Sequence, residues 1–147
     1  MKAMPESKYC SCLYYSANAM ARAMARMAEE EFGAAGLAPS YAFILMAVNE
    51  HPGIQPKEVS SLMHLAPSTV TRLVDKLATK GLVERRAVGK GIELRPTAKA
   101  REVYPRIREA WTSLYRRYSQ VLGVKLGRRL AAELYGATER LEAAAAG

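Results

Sequence analysis

The residues best able to do chemistry lie between Pro67 and Lys80, where Ser68, Thr69, Thr71, Arg72, Asp75, Lys76 and Thr79 alternate with Val70, Leu73, Val74 and Leu77. The four apolar residues follow i, i+3, i+4, i+7 spacing, so one side of a helix would be buried while the other carries short hydroxyls and cations. Hydroxyls and a guanidinium can hydrogen-bond to base edges, and ammonium groups can meet phosphates. A merely solvated surface helix would show the same two sides, so the reading depends on its neighbours. Upstream, Pro56 suits a first helical position, Val59, Leu62 and Met63 give a short apolar stripe, and Leu65-Ala66 is a tight link. Two short helices joined this closely form a helix-turn-helix.

The continuation strengthens the reading. Gly81 stops the second helix, residues 82–88 read as a strand, and Gly89-Lys90-Gly91 turns the chain into a second strand over 92–95. A basic hairpin after a recognition helix is a winged helix. Ser68, Thr69, Thr71 and Arg72 are expected to face base edges, with Lys57, Lys76, Arg85, Arg86 and Lys90 on phosphates. Asp75 is awkward, because phosphates repel a carboxylate. It is expected to orient Arg72 or a wing arginine, or else to accept from a cytosine amine.

Other elements must position this unit. A first helix over about 8–32 places Leu13, Ala17, Met20, Met24 and Met27 at alternating steps of four and three, a seam for another helix. A helix over about 39–50 carries Tyr41, Ile44, Leu45 and Val48 on one face and Ala42, Phe43 and Met46 on another, so it should be buried on two sides. After the wing, Ile107, Trp111, Leu114, Tyr118 and Val121 repeat the seam, with Pro105 expected to bend that helix or to confine its regular part to the residues after it. A last helix from about Lys125 carries Leu126, Leu130, Leu134 and Leu141. The fold class is mainly α (α+β), a winged helix-turn-helix with N- and C-terminal dimerisation helices. Residues 1–147 are expected to form a single domain, with 37–97 as the DNA-binding core and 1–36 and 98–147 as the helical dimerisation region. Two chains interlocking their terminal helices cover the seams more simply than one chain folded back on itself.

Composition narrows the function classes. With 147 residues, 22 Lys+Arg against 14 Asp+Glu and a formal net charge of +8, the chain favours a polyanionic partner. Cys10 and Cys12 are too few and too close for a disulfide framework, which suits a reducing cytoplasm. No stretch is apolar enough to span a membrane, and Arg22 and Arg26 interrupt the first segment as a signal peptide. His51 and His64 lack metal-spaced companions and read as capping or surface residues. No phosphate-cradling glycine motif and no set of nucleophile, base and orienter points to an enzyme, and no cofactor is expected.

Together these residues resemble the MarR family of bacterial transcriptional regulators over nearly the whole chain. The most specific segments are residues 68–77 and Lys80-Gly81-Leu82-Val83-Glu84-Arg85. Thr97-Ala98-Lys99-Ala100 is similar to the family's Thr-Pro-Lys-Gly after the wing. The wing departs from the pattern: the family usually carries Asp-x-Arg, whose arginine enters the minor groove, and here a shorter Gly89-Lys90-Gly91 leaves Lys90 or Arg86 to replace it. The resemblance implies a homodimer on a pseudo-palindromic operator in double-stranded DNA, usually a repressor, released by a ligand or an oxidant. Cys10-Ser11-Cys12-Leu13-Tyr14 resembles the start of the hydroperoxide-sensing branch, with Cys10 and Tyr14 at the matching spacing, so Cys10 and Cys12 are the redox candidates. Met24 stands where that branch uses a second tyrosine, which favours a small aromatic or hydrophobic effector with Tyr14, Phe43, Met46 and Trp111 as candidate pocket walls. A winged helix that binds protein rather than DNA is the reading from another class, and salt dependence discriminates the two.

Overall fold

Pro39, Pro56 and Pro67 each stand in the first turn of a helix, where the missing N–H costs nothing and the restricted φ is already helical. The computed structural model, which describes residues 8–147, accordingly starts three consecutive helices at these positions. A single 3-10 turn at Lys8–Ser11 is followed by α1 (Leu13–Gly33), α2 (Pro39–Glu50), α3 (Pro56–Met63) and α4 (Pro67–Thr79). Then come β1 (Val83–Val88), β2 (Gly91–Pro96), α5 (Ala98–Leu122) and α6 (Val124–Ala146). This mostly helical chain with one small antiparallel sheet is the winged-helix class expected from the sequence. Among the described residues, those up to Trp111 form one compact unit and Thr112–Gly147 forms a second.

The core of the first unit is built on α2. Ala42, Ile44, Leu45, Met46, Ala47 and Val48 are all buried, so the helix is covered on two sides as its pattern requires. It packs against α1, α4 and β2. Phe32 of α1 is wholly buried and stacks obliquely on Phe43, with ring centroids 5.5 Å apart. Val59 of α3, the apolar face of α4, Leu82, Val83 and Leu94 complete the layer, and Ala100 and Ile107 bring the start of α5 onto it.

In the sheet, Val83 pairs with Pro96 and Val88 with Gly91, leaving Gly89-Lys90 as a two-residue turn. Gly89 takes φ +59, which a residue with a Cβ adopts only at a cost. A short bridge widens the sheet, because Gly53 N donates to the Leu94 carbonyl and Leu94 N to the Ile54 carbonyl, both at 2.8 Å. Only Val83 of β1 is buried, whereas Leu94 and Pro96 of β2 face the core and the rest of the hairpin projects outward.

Four details differ from the sequence reading or refine it. The first helix starts at Leu13 rather than near Lys8, since Cys12 is extended (φ −85, ψ 119) and separates the 3-10 turn from α1. Helix α5 runs through Pro105 without ending, giving up one backbone hydrogen bond at that point. In α3 only Val59 is buried, and Leu62 is exposed because a helix of eight residues has a narrow contact face. The α1 seam is half-buried at Met20, Met24 and Met27 but open at Leu13.

The second unit contains the end of α5 and α6, joined at Gly123 with φ +84. Gly127 is buried, and a Cβ there would lie 3.4 Å from the Tyr118 ring, so glycine permits the close approach. Tyr118 meets Tyr115 edge-on at 5.5 Å. Val121 and Leu141 are 72% and 65% exposed.

Candidate nucleic-acid interface

Helix α4 buries Val70, Leu73, Val74 and Leu77 and turns Ser68, Thr71, Arg72, Asp75, Lys76 and Thr79 to solvent, with Thr69 half-buried at the edge. Its entry is set by α3. Gln55 N donates to the Glu58 carboxylate at 2.8 Å to cap that helix, and His64 ends it in the left-handed region (φ 52, ψ 44), turning the chain directly into α4. Ser60 Oγ donates across the turn to the Leu65 carbonyl. His64 and His51 thus both occupy helix C-caps.

The exposed hydroxyls and cations of α4 differ in what they have left to offer. Among the described residues the side chains of Ser68 and Arg72 have no protein partner, so both keep their full donor sets. Thr71 Oγ1 donates to the Pro67 carbonyl at 3.0 Å. Its lone pairs remain, so toward a base edge Thr71 is an acceptor, suited to the amines of adenine or cytosine.

Asp75 resolves its own difficulty. Its carboxylate accepts a short charge-assisted hydrogen bond from Arg85 Nη1 on β1, one of the partners expected from the sequence. The pleat explains the choice: Val83 and Arg85 share one face of β1, and Val83 is buried against the core, so Arg85 emerges at the core's edge beside α4. Glu84 and Arg86 occupy the opposite face and pair loosely at 3.8 Å. Lys90 is exposed at the hairpin tip, and Lys57 and Lys76 are exposed on α3 and α4.

The link from wing to α5 was not foreseen in the sequence. Thr97 Oγ1 donates to the Gly81 carbonyl at 2.7 Å and accepts from Ala100 N at 3.1 Å, so it caps α5 and fastens its start to the end of α4. Lys99 Nζ adds a 2.9 Å bond to the Lys80 carbonyl. A threonine three residues before Ala100 was a capping signal, but its partner at Gly81 is sixteen residues away.

The other candidates differ in exposure. Met46 is buried and Phe43 packs on Phe32, whereas Tyr14 and Trp111 are 80% and 49% exposed. Cys10 and Cys12 are exposed free thiols. The Cys10 carbonyl accepts from Ser16 Oγ at 3.1 Å, and the Tyr14 carbonyl accepts from Asn18 Nδ2 at 2.7 Å. Among the described residues no group of three or more His, Cys, Asp or Glu could hold a metal, and no helix is long and apolar enough to cross a membrane.

Two short helices, the turn between them and a wing braced to the second helix form a winged helix-turn-helix. Residues 35–91 match the MarR family model, which bears out the resemblance carried by α4 and the wing, and the structural neighbours are MarR-family transcriptional regulators. The chain is similar to a MarR protein from Peptoclostridium difficile, with 21% identity, 97% of this chain and 95% of that one covered, and a TM-score of 0.79. It is similar to a MarR family regulator from Listeria monocytogenes complexed with a 26mer DNA (20% identity, 96% and 90% covered, TM-score 0.73). It also resembles CouR from Rhodococcus jostii RHA1 bound to p-coumaroyl-CoA (18% identity, 88% and 93% covered, TM-score 0.75). Identities this low carry the fold. No curated protein matches the sequence.

Proposed function

We propose that the protein is a cytoplasmic transcriptional regulator that binds a pseudo-palindromic operator as a homodimer, represses from it, and is released by a small ligand. The observation that carries the reading is the outward face of α4, where Ser68 and Arg72 have no partner among the described residues and Asp75 holds Arg85 of the wing against the same helix. Two such helices must meet successive major grooves about 34 Å apart, which requires two copies. A dimer is supported by apolar residues that stand exposed on α1 (Leu13, Tyr14, Tyr15) and on the second unit (Val121, Val124, Leu134, Leu141). A net charge of +8 suits the polyanionic partner. The DNA-bound Listeria neighbour and the ligand-bound Rhodococcus neighbour lend the same fold to both halves of the reading.

The test is fluorescence anisotropy on duplexes taken from DNA adjoining the gene, against random duplex, over a range of salt. Arg72→Ala is expected to cost about 1–3 kcal/mol on the operator and to relax base preference, because a base-edge donor is lost. Lys90→Ala should weaken all duplexes alike and reduce the salt slope by about one. If Arg72→Ala left the discrimination between operator and random duplex intact, α4 would not be the base-reading helix.

A further inference from the structure

Cys10 and Cys12 carry chemistry that the nucleic-acid interface does not use. Cys10 stands in the 3-10 turn Lys8–Ser11, and Cys12 is the extended residue from which α1 departs. Cys12 N closes that turn on the Tyr9 carbonyl at 2.9 Å. One residue then ties down both cysteine backbones: Ser16 N donates to the Cys12 carbonyl at 3.0 Å, and Ser16 Oγ donates to the Cys10 carbonyl at 3.1 Å. Both thiols are free and exposed, and neither has a partner among the described residues. Cα atoms two residues apart are separated by no more than about 7 Å, so the two sulfurs can reach one ion by rotation about their own χ1 angles.

We propose that Cys10 and Cys12 together chelate a soft monovalent ion, Cu(I), between their two thiolates. The donor set selects the metal. Between Lys8 and Ala28 the sequence has no Asp, Glu or His, so the carboxylates that magnesium and calcium favour are missing and the charged donors on offer are sulfur. A structural zinc site or an iron–sulfur cluster takes four protein ligands, and among the described residues no group of even three His, Cys, Asp or Glu comes together. Two thiolates alone suit an ion that is satisfied by few, soft donors. On binding, two S–H bonds break, two Cu–S bonds form and two protons pass to solvent, with sulfur and copper keeping their oxidation states. The resulting bis-thiolate unit carries one negative charge. It sits at the start of α1, the positive end of a 21-residue helix whose N-cap makes no side-chain hydrogen bond, and the Lys8 ammonium lies 5.3 Å from the neighbouring Tyr9 ring centroid. The local field therefore favours the charged product, and the chelate ring fixes the 3-10 turn to the first residues of α1.

Anaerobic titration of the reduced full chain with Cu(I), in competition with a chromophoric Cu(I) chelator, tests the site. About one Cu(I) should bind per chain and give thiolate-to-copper absorption in the ultraviolet that an excess of Zn(II) leaves in place. Cys10→Ser and Cys12→Ser, both at exposed positions, should each lower the affinity about 100-fold or more and remove the absorption, with melting as in wild type. In the wild-type chain, bound Cu(I) should also protect both thiols from iodoacetamide, read by mass spectrometry. Wild-type affinity in either serine variant, displacement of Cu(I) by equimolar Zn(II), or alkylation of the loaded protein at the rate of the free one would overturn the proposal. Saturation at about one ion per two chains would overturn it as well, since that is the mark of a four-thiolate site shared between copies. None of these readouts involves DNA, so they stand whether or not the protein binds an operator.

Discussion

Asp75→Asn removes the acceptor for Arg85 while preserving the shape of α4, and two opposed effects on DNA binding make it informative. In the folded protein the pair is worth little: the two side chains are 43% and 53% exposed, so the contribution is about 0.2–1 kcal/mol. For a chain of this length the melting temperature should fall by no more than about 2–4 °C. On DNA the loss is larger, because an unbraced Arg85 must be ordered on binding at about 0.5–1.5 kcal/mol per side chain. For the proposed dimer on a twofold operator this doubles to about 1–3 kcal/mol, or about 5- to 150-fold in affinity. Against it stands the relief of removing a carboxylate that faces phosphates, an effect that salt screens over a Debye length of about 8 Å near physiological ionic strength. The assay is a double-mutant cycle on the operator with Asp75→Asn, Arg85→Gln and the pair, at low and near-physiological salt. At the higher salt Asp75→Asn should weaken binding in the wild-type background and change nothing in the Arg85→Gln background. Tighter binding by Asp75→Asn, or an equal loss in both backgrounds, would refute the argument that Asp75 acts through Arg85.

Tyr104 of α5 donates to the Glu50 carboxylate of α2 at 2.9 Å, and burial, then this bond and the adjacent negative charge, raise its pKa above the usual 10.0. Because the folded value is the higher one, the associated stability is present below pH about 10 and is lost as pH rises through the folded value. Tyr104→Phe should remove a late-titrating phenol from the ultraviolet titration and flatten that alkaline loss in a denaturant series. Leu77→Ala, at a wholly buried position of α4, should cost about 2–5 kcal/mol in urea unfolding. Leu62→Ala on α3, which is 45% exposed, should change stability by no more than about 0.5 kcal/mol.

The local periodicities were legible in the sequence. Val70, Leu73, Val74 and Leu77 do line the buried side of α4, and Gly89-Lys90 does form the turn between the strands, because these patterns depend only on the geometry of one helix or one hairpin. The two-sided burial of α2 was readable for the same reason. Contacts between elements decided the points that the linear pattern left open. Asp75 had a helix neighbour in Arg72 and several wing arginines to choose from; the burial of Val83 selects Arg85 by setting which face of β1 turns toward α4. The ties from Thr97 to Gly81 and from Lys99 to Lys80 span sixteen and nineteen residues, and they exist only because the wing hairpin returns the chain to the end of the helix it left. Short-range spacing specifies which faces are buried, whereas the meeting of distant side chains depends on where the hairpin docks, and that is a property of the packed core.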